Sequence, residues 1–309
     1  MATSNRALAA VGDADESLSA VIRQYADTRV GMAVLLLPAL IVILGLMVVP
    51  TLLLLSYSVK PFTGGEIQAG FTLAHYTNIL TSSLQQTIVV RTVKIAAIVT
   101  VFDFALGFPL AYAAVRKGGL MGKTIVIATL APLTIDLVVR SFGWFILLSG
   151  NGVVNGVLGT FGLINPQSPP KLLFNEIGII IGLTHVMLPF MVFPIINVLH
   201  TVPRSYEEAA RNLGANRLTV FRRVIFPLAL PGISAGVLIT FIVSMAAYVT
   251  PTILGGGVKV VPVVITNAFT STGNWPFASA LSMLLVALAL VVIVGYNRIL
   301  QTIDQTGGI

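Results

Sequence analysis

The residues that could perform chemistry are few and scattered along this chain. It has no cysteine and only three histidines, His75, His185 and His200, which lack the spacing of metal ligands. Without a thiolate or clustered imidazoles, the sequence offers no cysteine nucleophile and no cysteine-ligated metal. The apolar stretches also lack a nucleophile–base or zinc-binding motif, which disfavours an intramembrane enzyme. We therefore predict no catalytic residues and no metal site on this chain.

One glycine-rich segment, residues 118–124, resembles a phosphate-binding loop without matching it. A Walker A motif requires a glycine five residues before its Gly-Lys-Ser/Thr end. That position holds Lys117, and the segment follows a predicted membrane helix rather than a strand. We therefore predict no nucleotide site on this chain, with Lys123 as a basic anchor of a turn.

Charged side chains inside apolar stretches form a second group of candidates. Asp136 and Arg140 have i, i+4 spacing, which predicts either a structural pair on one helix face or a lining of a polar path. Asp103 has no opposite charge at i±3 or i±4, so it could contact a cationic solute or a charge on another helix. Three aromatic residues could stack on such a cation, with packing or interface anchoring as the alternative: Trp144, Phe241 and Tyr248.

The composition explains where these residues must lie. Of 309 residues, 56% are hydrophobic and 9% are charged, and the mean hydropathy is +0.96. Soluble domains carry about 25% charged residues. This excludes an ordinary soluble enzyme, a nucleic-acid-binding protein and a disordered chain, and predicts an all-α polytopic membrane protein. The apolar stretches predict six spanning helices near residues 33–55, 88–115, 124–148, 177–199, 227–251 and 275–301. Asn274 is expected to cap the last of these helices, with Pro276 in its first turn.

The basic residues predict the orientation of these helices. With the N-terminus in the cytoplasm, twelve Lys and Arg residues, including Arg116, lie in inner segments, whereas only Lys60, Lys171 and Lys259 lie in outer loops. Cytoplasmic loops carry such an excess of positive charge. We therefore predict two cytoplasmic termini, an N-terminal tail at 1–28 and a transmembrane domain at 29–309. The net charge of +7 is assigned to these loops and not to nucleic-acid binding.

The longest inner loop, residues 203–227, has the pattern of a docking element. Ser205 and Glu208 have capping-box spacing, and Gly214 fits a left-handed helix stop. A helix this short is marginal alone in water, so it must dock on something. Asn216 is expected to cap a second helix with an apolar face. The alternative is a basic amphipathic loop on lipid headgroups, with Arg217 among the residues facing phosphates.

A longer pattern in this loop is similar to a known family. The loop resembles the EAA loop of ABC-importer permeases. The matching pattern is Glu208-Ala209-Ala210, then three residues, Gly214, nine residues and Val224-Ile-Phe-Pro227. Val224 and Phe226 stand where that pattern has Ile and Leu, which are apolar exchanges. Stretches at 106–112, 139–144, 188–190 and 248–256 are most similar to the spermidine/putrescine (PotB-like) branch of these permeases.

This resemblance implies a six-helix type I ABC-importer permease in a bacterial inner membrane. It implies a second homologous permease subunit, favouring a heterodimer, two cytoplasmic ATPases that hold ATP and Mg²⁺, and a periplasmic substrate-binding protein. The chain itself would carry no cofactor. Glu208 would meet a basic residue of the ATPase, and the expected coupling residues are Glu207, Glu208, Ala209, Ala210, Gly214, Arg217 and Pro227.

Three questions remain open at the level of sequence. The cargo could be a polyamine or another small solute, such as an amino-acid-like compound or a phosphonate. A self-sufficient secondary transporter is the rival class, and it would predict inverted repeats and broken helices in corresponding places. Gly232 and Gly236 have the spacing of a close helix contact, either with a partner permease or within the chain.

Overall fold

The computed structural model describes residues 29–165 and 168–306, and the predicted tail at 1–28 lies outside the described residues. The first helix, α1 (Arg29–Ser58), is almost entirely apolar and contains Pro38 and Pro50. After it comes a two-stranded antiparallel hairpin, β1 (Phe62–Thr63) and β2 (Glu66–Ile67), in which Phe62 pairs with Ile67. This hairpin was not predicted.

The remaining helices follow in chain order. They are α2 (Ala74–Thr81), α3 (Ser83–Lys117), α4 (Gly119–Leu130), α5 (Leu137–Leu148), α6 (Val153–Thr160), α7 (Glu176–Thr201), α8 (Ser205–Asn212), α9 (Arg217–Val220), α10 (Phe226–Met245), α11 (Val249–Leu254), α12 (Val261–Thr270) and α13 (Trp275–Thr306). Among the described residues, six segments are long and apolar enough to cross a membrane. The predicted number of spans is therefore confirmed.

Two predicted helices are broken in the structure. The helix expected at 124–148 consists of α4, a 3₁₀ turn at Ala131–Thr134 and α5, because Pro132 lacks an N–H and Ile135 is extended. The helix expected to reach Pro251 ends at Met245, and α11 begins at Val249. Pro251 removes the donor that a continuous helix would offer to the Ala247 carbonyl. Both single-helix predictions were therefore wrong.

The core is built on α7, which packs against α3 and α10. A set of buried residues that we call the Met191 cluster joins the three helices and includes Phe108, Met191, Ile195, Leu199 and Ala229. Gly107 of α3 faces Met191, where an added Cβ would lie 3.0 Å from the Met191 Cγ. Gly232 of α10 faces Pro194, where a Cβ would lie 2.6 Å from the carbonyl oxygen. Gly236 also contacts Met191, so the close approach predicted for these glycines is made within the chain.

Ion pairs fix α3 to other elements at both of its ends. In its third and fourth turns, Arg91 Nε lies 3.0 Å from Glu176 Oε1, and Lys94 Nζ lies 2.5 Å from Glu176 Oε2. Glu176 is the first residue of α7, so this outer pair aligns the starts of two core helices. Arg91 Nη1 also donates to the Lys259 carbonyl at 3.3 Å. The other end of α3 pairs with the predicted coupling loop.

The final long helix confirms the predicted start signals. Asn274 is its N-cap, and its Oδ1 accepts a hydrogen bond from the Phe277 N–H at 3.0 Å. Pro276 lies in the first turn, where its missing N–H has no helical partner to lose. The Trp275 ring contacts those of Tyr57 and Phe269, so this end of α13 carries an aromatic group.

Candidate functional site

The predicted docking element is helix α8, and its end has the geometry that the sequence predicts. Gly214 has a φ of 85°, which favours glycine. The Ala215 N–H donates to the Ala210 carbonyl at 3.0 Å, and the Gly214 N–H donates to the Arg211 carbonyl at 2.9 Å. These two bonds form a Schellman motif, which closes the helix and turns the chain away.

The start of α8 differs from the prediction. Ser205 is the first residue of the helix, and Arg204 holds the N-cap position without a side-chain cap. The capping-box assignment was therefore wrong. The Arg204 guanidinium instead reaches across and donates from Nη2 to the Arg116 carbonyl at the end of α3. This contact satisfies a carbonyl at the end of α3 and joins that end to the start of α8, which spacing alone could not reveal.

Two adjacent glutamates of α8 face opposite ways. The Glu207 side chain is 9% exposed, and its Oε1 accepts from Arg116 Nε at 2.5 Å. Its Oε2 accepts from the Tyr112 hydroxyl at 3.1 Å. Glu208 and Ala209 are exposed, whereas Ala210 packs against the Met191 cluster. Glu207 therefore faces this chain, and Glu208 faces outward.

The loop exposes several large apolar side chains. We define the loop face as Tyr206, Glu208, Leu213 and Leu218, all of which are exposed. Leu213 keeps 89% of its surface accessible beside the Gly214 turn. Several exposed large apolar side chains on one short loop are typical of a protein-binding surface.

The second half of the loop leads directly into a core helix. Asn216 caps α9 as predicted, and its Oδ1 accepts from the Thr219 N–H at 2.8 Å. Arg217 follows in the first turn and is exposed. A π turn at Phe221–Ile225 connects α9 to α10, and Pro227 lies just beyond it. Because proline cannot donate and its ring crowds the carbonyl four residues earlier, a widened turn before Pro227 relieves the helix.

Asp136 lies at a helix break, not inside a helix as predicted. Its Oδ1 accepts from the Val138 N–H at 2.8 Å and from the Val139 N–H at 3.3 Å, so it caps α5. The expected ion pair with Arg140 does not form in the described part of the chain, because the carboxylate is used by the backbone. Asp136 remains exposed at a break between two apolar helices.

Arg140 is instead grouped with two ring side chains. Its Nε and Nη1 atoms are buried without a hydrogen-bond partner among the described residues. Trp144 lies one turn beyond Arg140 in α5. The ring of Trp144 lies edge-on to that of His185 at 5.6 Å. Trp144 and His185 also line an apolar groove between α3, α5 and α7.

The other predicted polar-path residues are not gathered at one place. Asp103 is fully buried in α3, and neither of its carboxylate oxygens has a hydrogen-bond partner among the described residues. Tyr248 lies in the second helix break, between α10 and α11. Phe241 is half-buried in α10. No ring contact in the described chain joins Trp144, Phe241 and Tyr248 into a cage.

A hydrogen bond links the two helix breaks. Ser141 Oγ of α5 lies 3.2 Å from Thr250 Oγ1 of α11. Leu137, which follows the first break, and Ala247, which lies within the second, pack against one buried cluster that includes Val99, Leu183 and Met187. Irregular backbone at membrane depth is found where it is enclosed by protein or lines a cavity. Both breaks are therefore held against the packed core of the chain.

Sequence reasoning missed Arg116 and Tyr112, which hold Glu207. Arg116 was counted only among the inner basic residues. The signal that could have found them is their i, i+4 spacing at the end of α3, which places a hydroxyl and a guanidinium on one face. The described residues contain no group of histidine, aspartate and glutamate that could hold a metal ion.

Comparison with known proteins matches nearly the whole chain. A family model described as a binding-protein-dependent transport system inner membrane component matches residues 32–305. The spermidine/putrescine transport system permease protein PotB of Haemophilus influenzae is 32% identical over 258 residues, which cover 82% of this chain and 89% of that protein. PotB of Escherichia coli is 30% identical over 76% of this chain and 85% of its own length.

A solved structure shares the fold. It is the bacterial alginate ABC transporter in complex with an alginate pentasaccharide-bound periplasmic protein, with a TM-score of 0.69 and 18% identity. The match covers 88% of this chain and 94% of that one. Broken helices, which we expected of a secondary transporter, are thus present in a chain whose fold is that of an ABC-transporter subunit.

Proposed function

We propose a polyamine such as spermidine or putrescine as the cargo of this chain, which belongs to the binding-protein-dependent inner-membrane transport components and is a permease of an ABC importer. The observation that carries the proposal is the 32% identity to a spermidine/putrescine permease over 82% of the chain. The shared fold with the alginate transporter does not decide the cargo, because that chain is only 18% identical.

The energy for transport would come from other subunits. We propose that two cytoplasmic ATPases hold ATP and Mg²⁺, that a second homologous permease completes a heterodimer, and that a periplasmic protein delivers the cargo. The segment 118–124 supports this division, because it lacks the first glycine of a nucleotide loop and belongs to the start of α4. With this arrangement, both termini and the loop at 203–227 lie in the cytoplasm of a bacterial cell.

The loop face is the proposed contact with the ATPase. Glu208 would pair with a basic residue there, while Tyr206, Leu213 and Leu218 would bury apolar surface. Arg217 lies beside them, exposed, at the start of α9. Closure of the ATPase dimer would then displace α8 and bias the helices between two arrangements of the permease.

The two helix breaks are the proposed passage for the cargo. Asp136 is the exposed carboxylate there, and it would contact an ammonium group of a polyamine. Tyr248, in the second break, would offer the face of its ring to such a cation. Asp103 is enclosed in this arrangement and would meet cargo only after the helices move. Arg140, Trp144 and Phe241 would lie along the walls.

The test is a reconstitution of the whole importer. This chain is expressed with its neighbouring genes, purified in detergent, placed in liposomes and assayed for ATP hydrolysis and for uptake of labelled spermidine and putrescine. We expect ATPase partners to co-purify and hydrolysis to rise with loaded binding protein. Uptake driven by an ion gradient without any ATPase would contradict the proposal. Stimulation by an amino-acid-like compound or a phosphonate, and not by polyamines, would contradict the proposed cargo but not the assignment as an ABC importer.

Two substitutions test the loop face in the same assay. Glu208→Lys reverses the outward charge, and Gly214→Asp adds a side chain at a φ of 85° beside Leu213. We expect either change to abolish cargo-stimulated ATP hydrolysis while the chain still inserts into the membrane. Lys123→Gln, at an exposed site in α4, is the matched control for a charge change away from the loop face. Normal stimulation in both variants would place the docking surface elsewhere.

A further inference from the structure

We infer that Glu207 is an internal positioning residue that ties helix α8 to the end of α3 through Arg116 and Tyr112, so that displacement of α8 is delivered to α3. This inference rests on the proposed function, because it concerns how the coupling loop acts. It assigns to the first glutamate of the pair a role distinct from that of Glu208.

The first support is the number and burial of the contacts on Glu207. Both carboxylate oxygens are used, Oε1 by the Arg116 guanidinium at 2.5 Å and Oε2 by the Tyr112 hydroxyl at 3.1 Å. The side chains of Glu207 and Arg116 are 9% and 11% exposed. Charge-assisted hydrogen bonds shielded from water are strong and hold a fixed geometry. The pair therefore acts as a rigid joint and not as a solvated surface contact.

The second support is that Arg116 also holds the chain that leads into α8. Its Nη1 donates to the Val202 carbonyl at 3.0 Å, just after the end of α7. The Arg204 guanidinium returns a hydrogen bond to the Arg116 carbonyl. The end of α3 thus forms hydrogen bonds both with the segment before α8 and with the first turn of α8. We call this set of contacts, made by Tyr112, Arg116, Val202, Arg204 and Glu207, the α3 joint.

The third support is that α3 continues from the joint into the core. Ala111 and Ala114, next to Tyr112, are buried in the Met191 cluster against α7. One face of α3 further along holds Gly107 in close contact with Met191. Because packed helices move as units, a shift of the α3 joint is carried along α3. By contrast, the covalent route from α8 to α10 first passes through the Gly214 turn and the exposed residues 216–218, and it rejoins the Met191 cluster only at Val220 and Ile225.

The test compares Arg116→Gln with Arg211→Gln in the reconstituted importer. Arg211 is a suitable control because it is an arginine of α8 that approaches Glu207 only to 4.0 Å and is 52% exposed. The readouts are subunit co-purification, ATP hydrolysis, and spermidine taken up per ATP hydrolysed. For Arg116→Gln we expect assembly and basal hydrolysis to persist and uptake per ATP to fall roughly tenfold, in the range that single residues contribute to coupling. Arg211→Gln should behave as the wild type.

A distance measurement separates transmission from mere stability. The chain has no cysteine, so Lys117→Cys and Asn212→Cys place two spin labels at unique, exposed sites on α3 and α8. In the otherwise unchanged chain, we expect one narrow distance that ATP does not alter. With Arg116→Gln added, the distance should broaden and change on addition of ATP. Arg116→Lys keeps the charge and provides a variant for the same comparison if the glutamine form does not fold.

Each outcome bears on the inference directly. An α3–α8 distance that changes with ATP in the unsubstituted joint would overturn it, as would normal uptake per ATP in Arg116→Gln. An importer that hydrolyses ATP on cargo delivery but takes up no polyamine would refute the proposed cargo and leave the α3 joint standing, because the spin-label distances do not depend on the cargo's identity.

Discussion

Helix α3 makes an ion pair at each end, and the two pairs differ in their exposure to water. At its start, Arg91, Lys94 and Glu176 have side chains that are 29%, 49% and 30% exposed. At its end, the Glu207 and Arg116 side chains are 9% and 11% exposed. The residue types are nearly the same, but their surroundings are not. Burial, and not the presence of opposite charges, decides what each pair contributes.

The physical reason is the cost of an unpaired charge. Exposed ion pairs contribute about 0–1 kcal/mol, because water and salt weaken the attraction and ordering the side chains costs entropy. Removing one partner of a buried pair costs about 3–5 kcal/mol, because the other charge is left without water or a counterion. The outer pair can therefore be lost at little cost in stability, whereas losing one partner of the α3 joint destabilises the fold.

The largest expected effect is at the α3 joint. Glu207→Ala leaves the buried Arg116 guanidinium without its carboxylate, and we expect the free energy of unfolding to fall by about 3 kcal/mol. The measurement is a denaturant titration of the detergent-solubilised chain. Glu207→Ala combined with Arg116→Leu is the control, since removing both charges should recover much of the loss. If the single and double variants are equally destabilised, the pair is not the cause.

A milder change at the same place tests the geometry. Arg116→Lys keeps a positive charge, but an ammonium lacks the planar fork that donates to both Glu207 and the Val202 carbonyl. We expect the free energy of unfolding to fall by about 1 kcal/mol, the net contribution of one hydrogen bond. The same titration measures it. A variant as stable as the wild type would mean that charge alone holds the joint.

The outer pair should respond much less. Glu176→Gln removes the shared partner of Arg91 and Lys94, and we expect the free energy of unfolding to change by less than about 1 kcal/mol. Thermal unfolding of the two proteins in the same detergent measures the difference. A loss as large as that from Glu207→Ala would show that exposure to water does not determine how much each ion pair contributes to stability.

The smallest effect is that of salt on these differences. Raising the ionic strength from about 0.01 M to 1 M shortens the screening length from roughly 30 Å to 3 Å. We expect the small effect of Glu176→Gln to vanish at high salt, while the effect of Glu207→Ala persists. Denaturant titrations at the two salt concentrations give both values. Equal salt sensitivity of the two variants would contradict the assigned burial.

The sequence was most informative where structure depends on neighbours along the chain. The Gly214 turn and the Asn216 and Asn274 caps involve residues within a few positions, and each is confirmed. The six spans follow from apolar length alone. The capping role of Ser205 was wrong, because α8 begins at Ser205 itself and Arg204 holds the N-cap position. The sequence also did not indicate the contact of Arg204 with the end of α3, which lies far away along the chain.

The sequence was least informative inside the apolar stretches. Hydrophobicity is uniform there, so it could not mark the breaks beside Pro132 and Pro251. The prediction that Asp136 and Arg140 pair at i, i+4 required a continuous helix. Because the helix is broken just before Asp136, its carboxylate instead accepts hydrogen bonds from the backbone of α5. The motif could not show that Glu207 is buried and Glu208 is exposed, because this depends on which face of α8 packs against α3.

The π turn at 221–225 has a consequence for insertions and deletions. A π turn holds one residue more than an α-helical turn, so removing one residue from this segment would allow α9 and α10 to join as regular helix. Each residue of a helix accounts for about 100° of rotation. The extra residue is taken up within the widened turn, so this deletion would keep both helices and leave Asn216 and the loop face nearly in phase with the core, whereas a deletion in the regular part of α10 would rotate them by about that angle. Chain length is therefore less constrained at the π turn than within α10.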